Sequence, residues 1–285
     1  GSLVIVAGNS EKFRSNSQLD GALSRETVFL LNNLFLTVFM FTVLIGTLFP
    51  LIAEAARGVK VSVGEPFFNR MTLPVMVSLL FLMGVGPALP WKRSSMQELR
   101  TKMIPGGVVG LLLAVVVVVA GTRSPYAVLA FAFAGFAATL NVAEFVIGAR
   151  ARMAAHGEGF GVALVRLVTG NRRRYGGYVA HLGILVSAFG IAASAAFRTE
   201  REATLKPGET LTVGGVTPRL KVVWGREEKQ RSVIGATVEL VKDGKAYATL
   251  SPRMNFYPTS QAPVPTPDVR STLLGDTYMN LMAFQ

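Results

Sequence analysis

Apolar residues in this chain run in long unbroken stretches, and polar residues gather between them. Five stretches, at 27–53, 71–89, 104–121, 125–149 and 175–197, are of membrane-spanning length. At the helical rise each reaches most or all of the way across a hydrocarbon core about 30 Å thick. A shorter apolar piece at 1–7, Leu3-Val-Ile-Val-Ala7, reads as the tail of an earlier span. It is too short for the apolar core of a signal peptide and has no basic segment before it. The far end, Leu281-Met-Ala-Phe-Gln285, stops without a polar tail, so the sequence is expected to be a fragment of a longer chain.

Past residue 197 the period shortens. Glu209-Thr-Leu-Thr-Val213 alternates and Gly214-Gly215 turns the chain. Arg219–Trp224 and Val233–Val241 read as further strands, and Lys242-Asp-Gly-Lys245 is a two-residue hairpin turn leading into Ala246–Leu250. Pro258, Pro263, Pro265 and Pro267 mark an extended segment. The expected fold is mainly α: a polytopic transmembrane helical bundle over 1–197, followed by a small extracytoplasmic β-rich domain over 198–285.

Within the spans a few residues break the apolar pattern. Asn32-Asn33 needs hydrogen-bond partners, so the pair is expected to face other helices rather than lipid. Pro50 is expected to loosen or end the first span. Val63-Gly-Glu-Pro-Phe-Phe-Asn69 reads as a Gly/Pro turn presenting aromatics at the membrane surface. Glu144, beside Arg150, is expected to snorkel towards water. Phe160–Thr169 reads as a short surface helix, and His156 as a solvated loop histidine.

Composition agrees with this layout. Of the residues, 51% are hydrophobic and 16% charged, against about 25% charged in a typical soluble domain. The net charge of +12 sits mostly beside the apolar spans, as topology signals do, and lacks the aromatic–basic platform of a nucleic-acid binder. Segments 8–26, 91–103 and 150–174 hold 13 Lys and Arg, whereas the alternating segments 54–70 and 122–124 hold 4. The basic set is therefore expected to be cytoplasmic and residues 198–285 to lie on the opposite, external side. With no cysteine there is no thiol nucleophile, thiolate metal site or disulfide, and two histidines are too few for an ordinary zinc site. No nucleotide-binding or catalytic-triad signature occurs, and no catalytic residue is assigned.

One residue carries chemistry. His181 lies inside Tyr175–Phe197, a run of 23 residues without formal charge. An imidazole there is costly and metal-competent. Gly176, Ala180, Gly183, Ser187, Gly190 and Ser194 form a stripe of small side chains about 140° away, expected to be the packed side. Gly177, Ala188 and Ala192 share the side of His181 and leave room for something flat beside the ring. The residue suits a haem axial ligand. It equally suits a core histidine hydrogen-bonded to a neighbouring helix. Met76 and Met83 are the other thioether ligands to weigh, with core packing the commoner role for each. A transporter or permease with an external β-domain is the alternative reading of the whole chain, and a structural scaffold a third.

A series of short motifs then adds a resemblance. Leu31-Asn-Asn-Leu-Phe, Gly46-Thr-Leu-Phe-Pro-Leu51, Gly64-Glu-Pro-Phe-Phe-Asn69, Gly84-Val-Gly-Pro87 followed by Trp91, and Tyr178-Val-Ala-His-Leu-Gly183 resemble successive motifs of the cytochrome c maturation protein F (CcmF) family. Arg253, Tyr257 and Gly275-Asp-Thr-Tyr278 resemble its periplasmic domain. The resemblance implies the C-terminal half of the membrane subunit of a haem lyase, which attaches haem to apocytochrome c. It implies a transmembrane haem b with His181 as an axial ligand of its iron and the partner histidine upstream. It further implies a haem chaperone and a thiol-handling subunit as partners, and a multi-pass place in the cell inner membrane. The family's tryptophan-rich haem-handling segment and a closing transmembrane helix have no counterpart in this sequence. Attachment activity is therefore not expected of residues 1–285 alone.

Overall fold

The computed structural model describes residue 8 and residues 24–58, 61–89, 96–258, 263–272 and 275–283. The apolar tail at 1–7, Trp91 and the basic pair Lys92-Arg93 lie outside them. The chain divides into two units, Gly1–Phe197 and Arg198–Gln285.

The first unit contains α1 (Arg25–Arg57), α2 (Glu65–Ala88), α3 (Met96–Val119), α4 (Pro125–His156), α5 (Phe160–Gly170) and α6 (Arg172–Phe197). Five of these, all but α5, are long and apolar enough to cross a membrane. Ser24 caps α1 by accepting from the Thr27 amide, and Ser124 caps α4 by accepting from the Ala127 amide. Gly58 and Gly157 end α1 and α4 in the left-handed conformation that glycine adopts without strain. The helix α1 continues past Pro50 to Arg57, so Pro50 does not end the span. The missing amide leaves only the carbonyl of Gly46 without its intrahelical donor.

Helix α4 is the hub. It touches α2, α3, α5 and α6, and its buried residues Phe131, Ala137, Asn141 and Ala149 lie along its whole length. Glycines permit its close contacts. A side chain at Gly84 would meet the Phe136 ring at 2.6 Å, and one at Gly110 would meet the Ala132 carbonyl oxygen at 2.6 Å. Helix backbones in a bilayer associate through such small positions because lipid offers no hydrophobic drive for association. Three apolar clusters result: Val85, Leu89, Leu99, Phe136 and Leu140; Leu80, Ala134, Ala137 and Leu185; and Val117, Phe131 and Ala192.

The start of α1 is tied to the end of α2. Arg25 donates from Nε to the Gly86 carbonyl at 3.1 Å, filling a helix-terminal acceptor. Elsewhere α1 is lightly packed, with Gly46 its one buried residue. Phe67 and Phe68 close over Gly46. They belong to the first turn of α2 rather than to an open surface turn, because Pro66 at the helix start presets the helical φ. Asn33 is exposed, so α1 does not turn this amide towards the other described helices.

The second unit is an antiparallel sheet. Strands β1 (Thr217–Glu228), β2 (Arg231–Lys242), β4 (Arg253–Phe256) and β5 (Val264–Thr266) pair in that order, and β3 (Lys245–Leu250) also pairs with β2. Strands β6 (Asp268–Arg270) and β7 (Thr277–Met279) form a separate two-stranded sheet. Asp243 and Gly244, at φ 51° and 75°, make the tight turn between β2 and β3. Glu209–Val213 forms no named strand; Thr210 bridges to Arg219 and Val213 to Val216. Leu220, Ala236 and Val238 form the core of this unit, covered by Leu205, Met279 and Leu281. The ring of Trp224 lies on Gly235 in the facing strand, where a side chain would meet it at 2.2 Å.

Candidate functional site

Helix α6 presents one side to the bundle. Tyr175, Tyr178, Leu185 and Ala192 are buried on it, and Phe189 meets Phe131 edge-on at 4.7 Å. These positions recur at helical spacing. Their centre lies opposite Gly176, Ala180, Gly183, Ser187, Gly190 and Ser194, where added side chains at Gly176, Gly183 and Gly190 would meet nothing within 4 Å. The small-residue stripe is thus the bare side of α6 among the described residues, and the larger residues are packed. This reverses the sequence expectation. The packing partner, α4, brings its own small residues, Ala134 and Ala137, and accepts larger ones in return.

His181 sits at the edge of the packed side and is half-buried. Ala188 and Ala192, expected to leave space beside it, instead pack against the α4 clusters. Open room remains at Gly177. Neither ring nitrogen of His181 has a hydrogen-bond partner among the described residues, and Nδ1 is buried. A buried polar atom left unpaired costs about 1–3 kcal/mol. The ring is therefore not interhelical hydrogen-bond glue among the described residues. That leaves it able to serve as a neutral nitrogen ligand.

The residues fit a haem iron as far as one axial ligand. Among the described residues no three His, Asp or Glu side chains gather as a metal site. Met83 packs against the cluster around Leu80 and Ala137, and Met76 is 39% exposed on α2. His156 is the last residue of α4 rather than a loop residue, and its Nδ1 lies 3.3 Å from the Arg152 carbonyl. It converges with no other ligand.

One group beside the site is not apparent in the sequence. Glu144 of α4 accepts from Arg174 Nη2 at 2.7 Å and from the Tyr178 hydroxyl at 3.4 Å. It does not snorkel beside Arg150; it reaches across to α6, one turn before His181. Phe145, Tyr175 and Tyr178 pack beside it in tilted and edge-to-face contacts, with ring centroids 5.4–6.0 Å apart. Gly148 makes room for the Tyr175 hydroxyl, which leaves no space for a side chain there. The signal was available in part: Glu144 is an acid in an apolar span, and such a residue needs a named partner. Which of six nearby arginines serves is a tertiary fact.

On the same side of the bundle Glu158 joins α4 to α5. It accepts from Arg152 at 3.0 Å and is also paired with Arg166. The hydrogen bond from Arg152 holds its carboxyl below the ordinary carboxylate range. Asn141, fully buried, donates to the Ala137 carbonyl at 2.8 Å and faces the Met83 carbonyl of α2 at 3.4 Å. Its Oδ1 is buried without a hydrogen-bond partner among the described residues.

In the second unit Tyr257 accepts from Arg231 Nη1 at 3.2 Å. Tyr278 is 62% exposed on β7.

Known proteins resemble this chain along nearly its whole length. The cytochrome c-type biogenesis protein CcmF of Pseudomonas aeruginosa is 32% identical over 98% of the chain and 42% of its own length. The CcmF of Escherichia coli is 30% identical over 99% of the chain and 41% of its own length. The CcmF of Haemophilus influenzae is 29% identical over 99% of the chain and 42% of its own length. A solved structure of the cytochrome c haem lyase CcmF matches with a TM-score of 0.62 at 29% identity, covering 89% of this chain and 39% of that one. No family model matches. The chain spans about two fifths of the length of these relatives. With its order of spans, its β unit and its transmembrane histidine all within that match, the chain belongs to the CcmF family of cytochrome c-type biogenesis proteins.

Proposed function

We propose that the chain is part of the membrane subunit of a cytochrome c haem lyase, and that His181 is an axial ligand of a haem b held within the membrane. The observation that carries this reading is the imidazole itself: a half-buried ring in an apolar span with neither nitrogen hydrogen-bonded among the described residues. Bound there, the haem would supply one-electron redox chemistry inside the bilayer. The chain's own residues hold and orient the ring. Leu182 and Leu185, both just after it, anchor α6 against α4. Glu144 fixes the preceding turn through Arg174 and Tyr178. The space at Gly177 leaves the approach to the ring open.

The second axial ligand comes from outside the described residues, and the natural candidate is a histidine in the longer protein. In this reading the chain lies in the cell inner membrane with residues 198–285 in the periplasm. That is the side on which an apocytochrome c, a haem chaperone and a thiol-handling subunit would meet it. A transporter is not favoured: the Asn141 amide nitrogen is held by the Ala137 and Met83 carbonyls, and the spans offer no continuous polar path among the described residues.

The test is spectroscopic. In the intact purified protein His181→Ala should remove or strongly weaken the b-type bands of the reduced spectrum and lower haem content. Haem content and redox spectrum unchanged from wild type would sink the assignment.

A further inference from the structure

Helix α5 is apolar on the side that packs and on the side that does not. Ala163 is buried and Leu167 lies against Gly148, whereas Val162 and Val165 on the opposite face are 51% and 62% exposed. Its 11 residues rise about 16 Å, far short of a bilayer crossing. An outward apolar face on so short a helix, placed between two spans, belongs in the leaflet at the boundary of headgroups and acyl chains.

Cations stand beside it, and most are already used. Arg152 and Arg166 are paired with Glu158, and Arg174 with Glu144. Arg172 and Arg173, the first two residues of α6, are exposed and make no hydrogen bond or ion pair among the described residues. Glu144 of α4 and Glu158, just after it, are occupied by those other arginines. Two uncompensated guanidinium groups, each with donors suited to phosphate, thus directly follow a helix suited to acyl chains.

We propose that α5 with Arg172 and Arg173 is a docking surface for anionic phospholipid, with acyl chains against Val162 and Val165 and phosphate on the two arginines. Charge complementarity selects the occupant: uncompensated cations at headgroup depth draw anionic lipid. The density of Lys and Arg at 150–174 puts this end of the bundle at the leaflet that attracts basic segments. The inference is independent of any haem on His181.

The experiment uses the intact protein in detergent, stripped of native lipid. It is then offered phosphatidylglycerol or phosphatidylcholine, with retained lipid read by native mass spectrometry. Phosphatidylglycerol should be retained in preference, and the double variant Arg172→Gln, Arg173→Gln should bind it about thirtyfold more weakly at low salt. Arg172→Lys, Arg173→Lys, which keeps the charge, should keep most of the preference and serves as the folding control. Val165→Glu should weaken retention through the acyl side. Equal retention of the two lipids by wild type, or an unchanged preference in the Gln variant, would overturn the proposal. So would displacement of the lipid by free phosphate alone.

Discussion

At the scale of single residues, Glu144 and His181 show opposite solutions to the same problem. Each is a polar group in an apolar span. Glu144 is satisfied inside the chain by Arg174 and Tyr178. His181 is satisfied by nothing among the described residues, which is why it reads as a ligand and Glu144 as a brace. Glu144→Gln keeps the shape and removes the charge, leaving Arg174 without its anion. The ion pair is partly exposed at Arg174, so the expected loss is about 1 kcal/mol, or about 2–4 °C in melting temperature. Thermal unfolding in detergent measures it, and an unchanged midpoint would mean that the pair is ornamental. The imidazole could be singled out from the sequence because the run Val179–Phe197 carries no other ionisable side chain. The brace could not, because its partner lies 30 residues away on another helix.

At the scale of elements, the glycines divide into those the fold uses and those it leaves bare. Gly84 and Gly110 sit where α2 and α3 press on α4, against ring and backbone atoms that cannot swing aside. Gly84→Val and Gly110→Val in the 285-residue chain should each destabilise the bundle by about 1–3 kcal/mol through overpacking. Gly183→Ala should leave that chain's stability within about 0.5 kcal/mol, because nothing lies near the added methyl. Denaturant or thermal unfolding of the three variants side by side checks the ranking. A Gly183→Ala variant as damaged as the other two would show that the bare side of α6 is packed after all. The sequence pattern finds small-residue stripes readily. It does not say whether a stripe or the bulkier side opposite meets the partner, since that depends on the partner's own small residues, here Ala134 and Ala137 of α4.

At the scale of the molecule, the uneven distribution of Lys and Arg is the basis of the proposed orientation of the bundle. The chain has no cysteine, so single introduced cysteines report orientation without background from these 285 residues. Lys229→Cys, in the exposed turn between β1 and β2, should react with a membrane-impermeant maleimide in cells whose outer barrier is opened. Ala155→Cys, exposed near the end of α4, should react only after the inner membrane is permeabilised. The reverse labelling pattern would invert the proposed topology.

The sequence alone determined the class of this protein: spans, a terminal β unit, and one costly imidazole. Hydrophobic length and strand period are local properties, and a lone ionisable group in an apolar run stands out without any coordinates. Only the tertiary structure decided which side of α6 is packed, that α1 runs on past Pro50, and that Phe67 and Phe68 close over Gly46. It also decided that Glu144 reaches Arg174, and that Arg172 and Arg173 have no ion pair among the described residues. Each of these depends on which surfaces of distant helices meet, and helix packing is settled by the fit of both partners, which no single run of residues contains.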